Sequence, residues 1–316
     1  MKPIVWTRRA VMLLMALTAC ATAAAEVDSD RCSMWIDDCE GEPVRYERVL
    51  DDLATARVVY LGERHTIERH HALQAKILRD LSAKGLPLVL GIEMMEQPNQ
   101  AALDRFNRGE IGFDTLAEET GWAKRWRNFE QYKVVLEAAK EAGAPVVALN
   151  ARAETIRAVA RSGGLEGLDP QTRAELPEDI QLDDPVYRKT LEAPMKAHMA
   201  ATPERLRPMI EAQIARDEAM ADALCRFLKS DQGEGRTAVV VCGAGHVSQG
   251  LGMPARVRRR MPELTERIVV FSASGDVKLS KEELATVRPV HVPREEVRSV
   301  NLRVADYLHV TSLREE

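Results

Sequence analysis

The chain reads as an α/β protein: a parallel-sheet core covered by helices on both faces, with a helical insertion or cap. Three observations predict this. Apolar strand-like runs alternate with segments of helical periodicity from about residue 57 onward. The runs are continuously apolar, as in strands buried on both faces, rather than alternating apolar and polar. Between residues 171 and 231 no strand-like run occurs, and helical patterning takes over.

The elements follow in order. The first strand is expected from Arg57 to Leu61, and the next helix carries Ile67, Leu73, Ile77, Leu78 and Leu81 on one face. "LPLVLGIE", Leu86 to Glu93, gives a second strand, followed by a helix from Asn99 to Asn107. "FEQYKVVLEAAKEAG" is helical and stops at Gly143; "PVVALN", Pro145 to Asn150, is the third strand, and Glu154 to Ser162 resumes helix. Pro203 to Lys229 reads as one long helix, the main part of the insertion at about 171 to 231. "TAVVVCGAGH" is a fourth strand, Met253 to Arg260 a helix, "RIVVFSAS" a fifth strand and "ADYLHV" a sixth.

Composition narrows the function. At 316 residues, 45% hydrophobic and 29% charged, the chain has the make-up of a globular protein. Aromatics are 4% and the formal charge is −5, with no long basic block, so nucleic acid is not an expected partner. Arg258, Arg259 and Arg260 are expected on a solvated helix face.

The N-terminus, "MKPIVWTRRAVMLLMALTAC", places Lys2, Arg8 and Arg9 before a short apolar run. The run is too short to span a bilayer but suits a signal peptide. Leu17-Thr18-Ala19-Cys20 resembles a bacterial lipobox, which makes residues 1–20 a lipoprotein signal peptide and Cys20 the lipidated residue. The rival expectation is cleavage after Ala23-Ala24-Ala25, giving a soluble periplasmic or secreted protein. Residues 21–44 are expected to form a tether with a local Cys32–Cys39 disulfide, which export permits. Residues 45–316 form the α/β domain. Cys225 and Cys242 are expected as buried thiols, a bridge between them being the alternative.

The charged tips of the strands carry the chemistry. In open parallel sheets, ligands bind beyond the carboxyl ends of the strands. There the first strand delivers Glu63 and His65, the second Glu93, the third Asn150 and the fourth His246. Two carboxylates and two imidazoles suit a divalent metal, with Glu63, His65, Glu93 and His246 as ligands. They suit metal-free acid–base catalysis by the same four residues equally well. No dinucleotide or P-loop glycine pattern and no nucleophile elbow accompanies them. His70 and His71 are expected to be solvated. Of Arg216, Asp217 and Glu218 in the long helix, one is expected to reach the rim.

Taken together, "VVYLGERH" with the following "HHALQ", "PLVLGIEMMEQPNQAALDRFNRGEI", Trp126, Tyr132, "PVVALNA", "RDEAMADAL" and "CGAGHVSQGLGMPARVRRR" resemble, in this order, the ChaN-like haem-binding uptake lipoproteins of the Tiki/erythromycin-esterase superfamily. The resemblance spans residues 45 to 275. It implies an outer-membrane lipoprotein in haem and iron acquisition, a homodimer, haem ligated by tyrosine, and an outer-membrane haem receptor as partner. The cofactor-binding residues it suggests are Tyr132, Tyr187 and Asn150, with Met94, Met95, Met199, Met209 and Met220 available to line an apolar slot. Wider superfamily members are metal-dependent hydrolases using positions that match Glu63, His65, Glu93 and His246. Haem binding and hydrolysis both stand as expectations.

Overall fold

The computed structural model describes residues 33–199, 203–274 and 303–312. Eight strands form one sheet: β1 (Ser33–Asp37), β2 (Glu42–Pro43), β3 (Val58–Glu63), β4 (Leu88–Glu96), β5 (Val146–Asn150), β6 (Thr237–Gly243), β7 (Glu266–Ser274) and β8 (Tyr307–Ser312). Their order is β2-β1-β8-β7-β3-β6-β4-β5. Every pairing from β8 through β5 is parallel, while β1 and β2 pair antiparallel. The parallel-sheet core is as expected. The end of the tether differs: residues 33 to 43 contribute two strands to the sheet instead of an irregular link.

The helices are α1 (Tyr46–Leu53), α2 (Glu68–Ala83), α3 (Gln100–Asn107), α4 (Phe113–Thr120), α5 (Trp122–Arg125), α6 (Lys133–Glu141), α7 (Ala153–Arg161), α8 (Pro170–Arg173), α9 (Pro185–Met199), α10 (Pro203–Leu228) and α11 (Met253–Arg260). Strand side chains alternate between the two faces of a sheet. Val59, Leu61, Leu90, Ile92, Val239 and Val241 therefore pack with Val49, Leu78 and Leu136 of α1, α2 and α6. Val58, Tyr60, Val89, Val240 and Cys242 pack on the other face with Met220 and Leu224 of α10 and Val257 of α11. Both faces are covered, which is why the strands read as unbroken apolar runs.

Strands β3 and β4 are consecutive in this parallel region, yet β6 lies between them. Gly62 permits the close approach at the end of that junction, since a Cβ there meets Val247 Cγ2 at 2.6 Å. With neighbouring strands about 4.8 Å apart, the ends of β3, β6 and β4 deliver their side chains to one small region.

The basic run in α11 departs from expectation. Arg258 is exposed, but Arg259 donates both Nη atoms to Glu218 at 2.8 Å and Arg260 Nη1 lies 2.7 Å from Glu218 Oε2. Glu218 is fully buried, and Arg256, 2% exposed, lies 3.5 Å from it. A buried carboxylate needs such partners. Arg256, Arg259 and Arg260 clamp α11 to α10, and within the basic run Arg258 alone keeps to the solvated face.

Candidate functional site

Glu63 closes β3 with no solvent access to its side chain. Its Oε1 accepts the Tyr132 hydroxyl at 2.5 Å and meets His65 Nδ1 at 2.9 Å. Its Oε2 accepts Gln74 Nε2 at 2.7 Å and lies 3.1 Å from His71 Nε2. Turned back over the strand end, the His65 ring packs edge-on against Trp126 at 4.8 Å between ring centres. Its side chain is 31% exposed, and Nε2 stands 3.9 Å from Glu93 Oε2, beyond direct hydrogen-bond reach. Glycine at 243 makes room for this ring, because a Cβ there sits 2.9 Å from His65 Nε2.

Glu93, in β4, is the centre of the cluster. Gly243 N–H donates to its Oε2 at 2.7 Å, and His246 Nε2 lies 3.2 Å from its Oε1. The other ring nitrogen of His246, Nδ1, lies 2.6 Å from Asp217 Oδ1, with Gln213 Nε2 at 3.0 Å. Asp217 is fully buried in α10, and its Oδ2 accepts the Tyr187 hydroxyl at 2.5 Å. Arg256 stacks over the Tyr187 ring at 4.7 Å. The result is a row of seven side chains, Tyr132, Glu63, His65, Glu93, His246, Asp217 and Tyr187, interrupted by the 3.9 Å gap between His65 and Glu93.

Facing carboxylates on both nitrogens, His246 donates from both and carries a charge. Burial pulls its pKa down, but the charges of Glu93 and Asp217 and their hydrogen bonds raise it to about 10. Burial raises the Glu63 carboxyl, yet hydrogen bonds from His65 and His71, the His71 charge and Tyr132 bring it to about 2. Burial also opposes ionisation of Glu93; the charge and hydrogen bond of His246, the charge of His65 and the Gly243 amide hold it well below the usual carboxylate range. Against the desolvation of His65, its hydrogen bond to Glu63 and the charges of Glu93 and Glu63 push its pKa up. Acid–base chemistry at a ligand is open to His65 Nε2, whereas His246 has both nitrogens committed.

The structure brings Glu63, His65, Glu93 and His246 together. Asn150 lies beside them, 4% exposed, its Nδ2 donating to the Glu93 carbonyl at 3.0 Å. Asp217 proves to be the acidic residue of α10 that reaches the rim; its neighbour Glu218 is buried in the arginine clamp. His71 and Gln74, both in the "HHALQ" stretch that follows the first strand, reach the cluster as well, and Gln213 carried no sequence signal. His70 and His71 are fully buried, not solvated. His70 Nδ1 accepts the Arg64 amide at 3.1 Å, and burial lowers its pKa to about 4. Among the described residues no group of three or more His, Cys, Asp or Glu side chains is arranged to hold a metal ion. Glu63, His65, Glu93 and His246 bind one another instead. Cys225 and Cys242 are buried and free, which rules out the bridge between them. Cys39 is exposed after β1, and Cys20 and Cys32 lie outside the described residues.

All five tyrosines of the chain are described. Four donate to carboxylates: Tyr46 to Asp80, Tyr132 to Glu63, Tyr187 to Asp217 and Tyr307 to Asp52. The fifth, Tyr60, is fully buried in the core with no partner for its hydroxyl. Tyr132 and Tyr187 have 0% and 2% exposure, and burial with the adjacent carboxylate raises both phenols' pKa values. A tyrosine that serves as axial ligand must lose its proton and face the iron. Neither Tyr132 nor Tyr187 fits that role, contrary to what the resemblance implies. Met94, Met95 and Met220 fill the core instead of lining an open slot.

Comparison with known proteins places this geometry in context. The structure of ChaN of Campylobacter jejuni, described as showing cofacial haem binding, superposes with a TM-score of 0.66. It shares 18% identity and covers 89% of this chain and 98% of that one; at that identity it establishes the fold. The chloroplastic Protein RETICULATA-RELATED 5 of Arabidopsis thaliana is 25% identical over 263 residues, covering 73% of this chain. The chain spans about a third of that protein, 34% of its length. A family model described as "Haem-binding uptake, Tiki superfamily, ChaN" matches residues 49–257, which contain every member of the seven-residue run, and the chain belongs to that family.

Proposed function

We propose that this chain is a haem-binding protein of the bacterial cell envelope that serves iron acquisition, held at the outer membrane through lipidated Cys20. The observation that carries the reading is the family match over residues 49–257. The lipobox-like Leu17-Thr18-Ala19-Cys20 supports the location. A homodimer and an outer-membrane haem receptor complete the proposal. The test is a titration of the purified chain with ferric haem, followed in the Soret region. Saturable binding supports the reading; an absorbance that grows linearly with added haem sinks it. For the anchor, mass spectrometry of the chain recovered from membranes reads whether Cys20 is the acylated N-terminus.

One observation favours a second reading: Glu93 lies between two imidazoles, each backed by a buried carboxylate–tyrosine pair. This arrangement suits hydrolysis, with His65 Nε2 taking a proton from a water and Glu93 orienting it. A divalent metal at the same place has to draw Glu63, His65, Glu93 and His246 out of their present hydrogen bonds. Hydrolysis of a chromogenic ester that Glu63→Gln and His246→Gln abolish, with haem affinity retained, supports this second activity. Equal turnover by both variants and the unmodified chain removes it.

A further inference from the structure

Haem binding, if it follows the tyrosine pattern, needs one phenol that is free to ionise and open to a flat macrocycle. This chain has five, and none qualifies. Tyr132 and Tyr187, the two on which the resemblance falls, sit at the two ends of the strand-end run with their hydroxyls on buried carboxylates. The cluster itself is saturated from within. Both oxygens of Glu63, both oxygens of Asp217 and both nitrogens of His246 face partners within 3.2 Å. The imidazoles of His65, His71 and His246 are already claimed by Glu63, Glu93 and Asp217, and haem brings two propionates of its own. A buried carboxylate stripped of its donors is costly, so haem entry here works against the packing at every contact.

Resting on the haem reading above, we infer that the haem of this chain lies outside the strand-end cluster and is held without an axial tyrosinate. Tyr132 and Tyr187 then serve the polar cluster by fixing Glu63 and Asp217.

The experiment has two arms on the full chain in detergent. The first records the ferric-haem complex by visible and resonance Raman spectroscopy for the unmodified chain, Tyr132→Phe and Tyr187→Phe. The expected result is no iron–phenolate band and haem dissociation constants within about twofold of one another. A phenolate band that either substitution removes, or a loss of affinity of about tenfold or more, overturns the inference while leaving the haem reading intact. The second arm treats the haem-free, unsubstituted chain with tetranitromethane and maps nitrated tyrosines by mass spectrometry. Tyr132 and Tyr187 are expected to stay unmodified in the native chain and to react once it is unfolded in urea. Nitration of either in the native chain overturns the inference. If haem never saturates, the haem reading fails, and the nitration arm alone decides whether these phenols are closed.

Discussion

The two halves of the strand-end cluster use the same three groups and differ in what they leave open. On one side Tyr132 holds Glu63, which holds His65; on the other Tyr187 holds Asp217, which holds His246. Glu63 and His65 are two positions apart and come from one strand end, so the pair is nearly preassembled by local geometry. Asp217 and His246 are 29 positions apart and meet only because α10 packs across the sheet. The local half leaves its imidazole partly exposed with Nε2 clear of direct contact, and the long-range half closes both nitrogens of its own. A shared chemical motif thus gives one reactive imidazole and one fixed charge, the difference set by how near Glu93 stands to each ring, 3.9 Å from His65 and 3.2 Å from His246.

Substitutions that remove one half test this asymmetry. The largest effect is expected from Asp217→Ala, which strips the buried His246 and the Tyr187 hydroxyl of their common partner. Urea unfolding should show a loss of about 3–5 kcal/mol. The equivalent change at Glu63 exposes the other half to the same test, and equal losses would argue that the two halves are energetically alike.

Next is pH. His246 is raised from an ordinary 6.5 to about 10 in the folded chain. Its contribution is complete below the unfolded value and is lost as pH rises from there through 10. Unfolding midpoints measured from pH 7 upward should fall, and His246→Gln should flatten that slope. Glu63 behaves oppositely: depressed from 4.5 to about 2, it contributes above the unfolded value, and that contribution disappears as pH falls through the folded one. A chain whose stability is flat between pH 7 and 10 would remove the distinction between a fixed and an open imidazole.

Smaller again are the phenols. Each of Tyr132→Phe and Tyr187→Phe should cost about 1–2 kcal/mol. Tyr187→Phe is expected to be the larger loss, since Glu63 keeps Gln74, His65 and His71 while Asp217 keeps only His246 among its side-chain contacts described above. Differential scanning calorimetry of the pair gives the ranking. The smallest effect is expected at Gln213, whose amide meets the same Nδ1 that Asp217 already occupies. Gln213→Ala should change stability by about 0.5 kcal/mol or less.

Much of the fold was legible because burial on both faces writes itself as unbroken apolar runs, and the strand-end residues were legible because parallel strands all finish on one side. The insertion of β6 between β3 and β4 was not. Nothing local in "TAVVVCG" says which strands it separates. Polarity misled where polar groups are buried: His71, Arg259 and Arg260 read as solvated because their partners Glu63 and Glu218 lie elsewhere in the chain, and His70 because its ring turns back onto the Arg64 amide. Tyr132 and Tyr187 were singled out for a different task, since a sequence shows a phenol but not the carboxylate that claims it.

The place of β6 also sets the order in which this molecule can be made. Glu93 receives the Gly243 amide from 150 positions downstream, so a growing chain holds β3 and β4 ready long before the strand that joins them exists. Until residue 243 emerges, the facing edges of β3 and β4 that β6 will fill stay unpaired. Contacts so distant in sequence close slowly. The central carboxylate therefore waits for the Gly243 amide and His246, and a chain cut short before β6 carries a buried Glu93 without either, an open seam and every reason to aggregate.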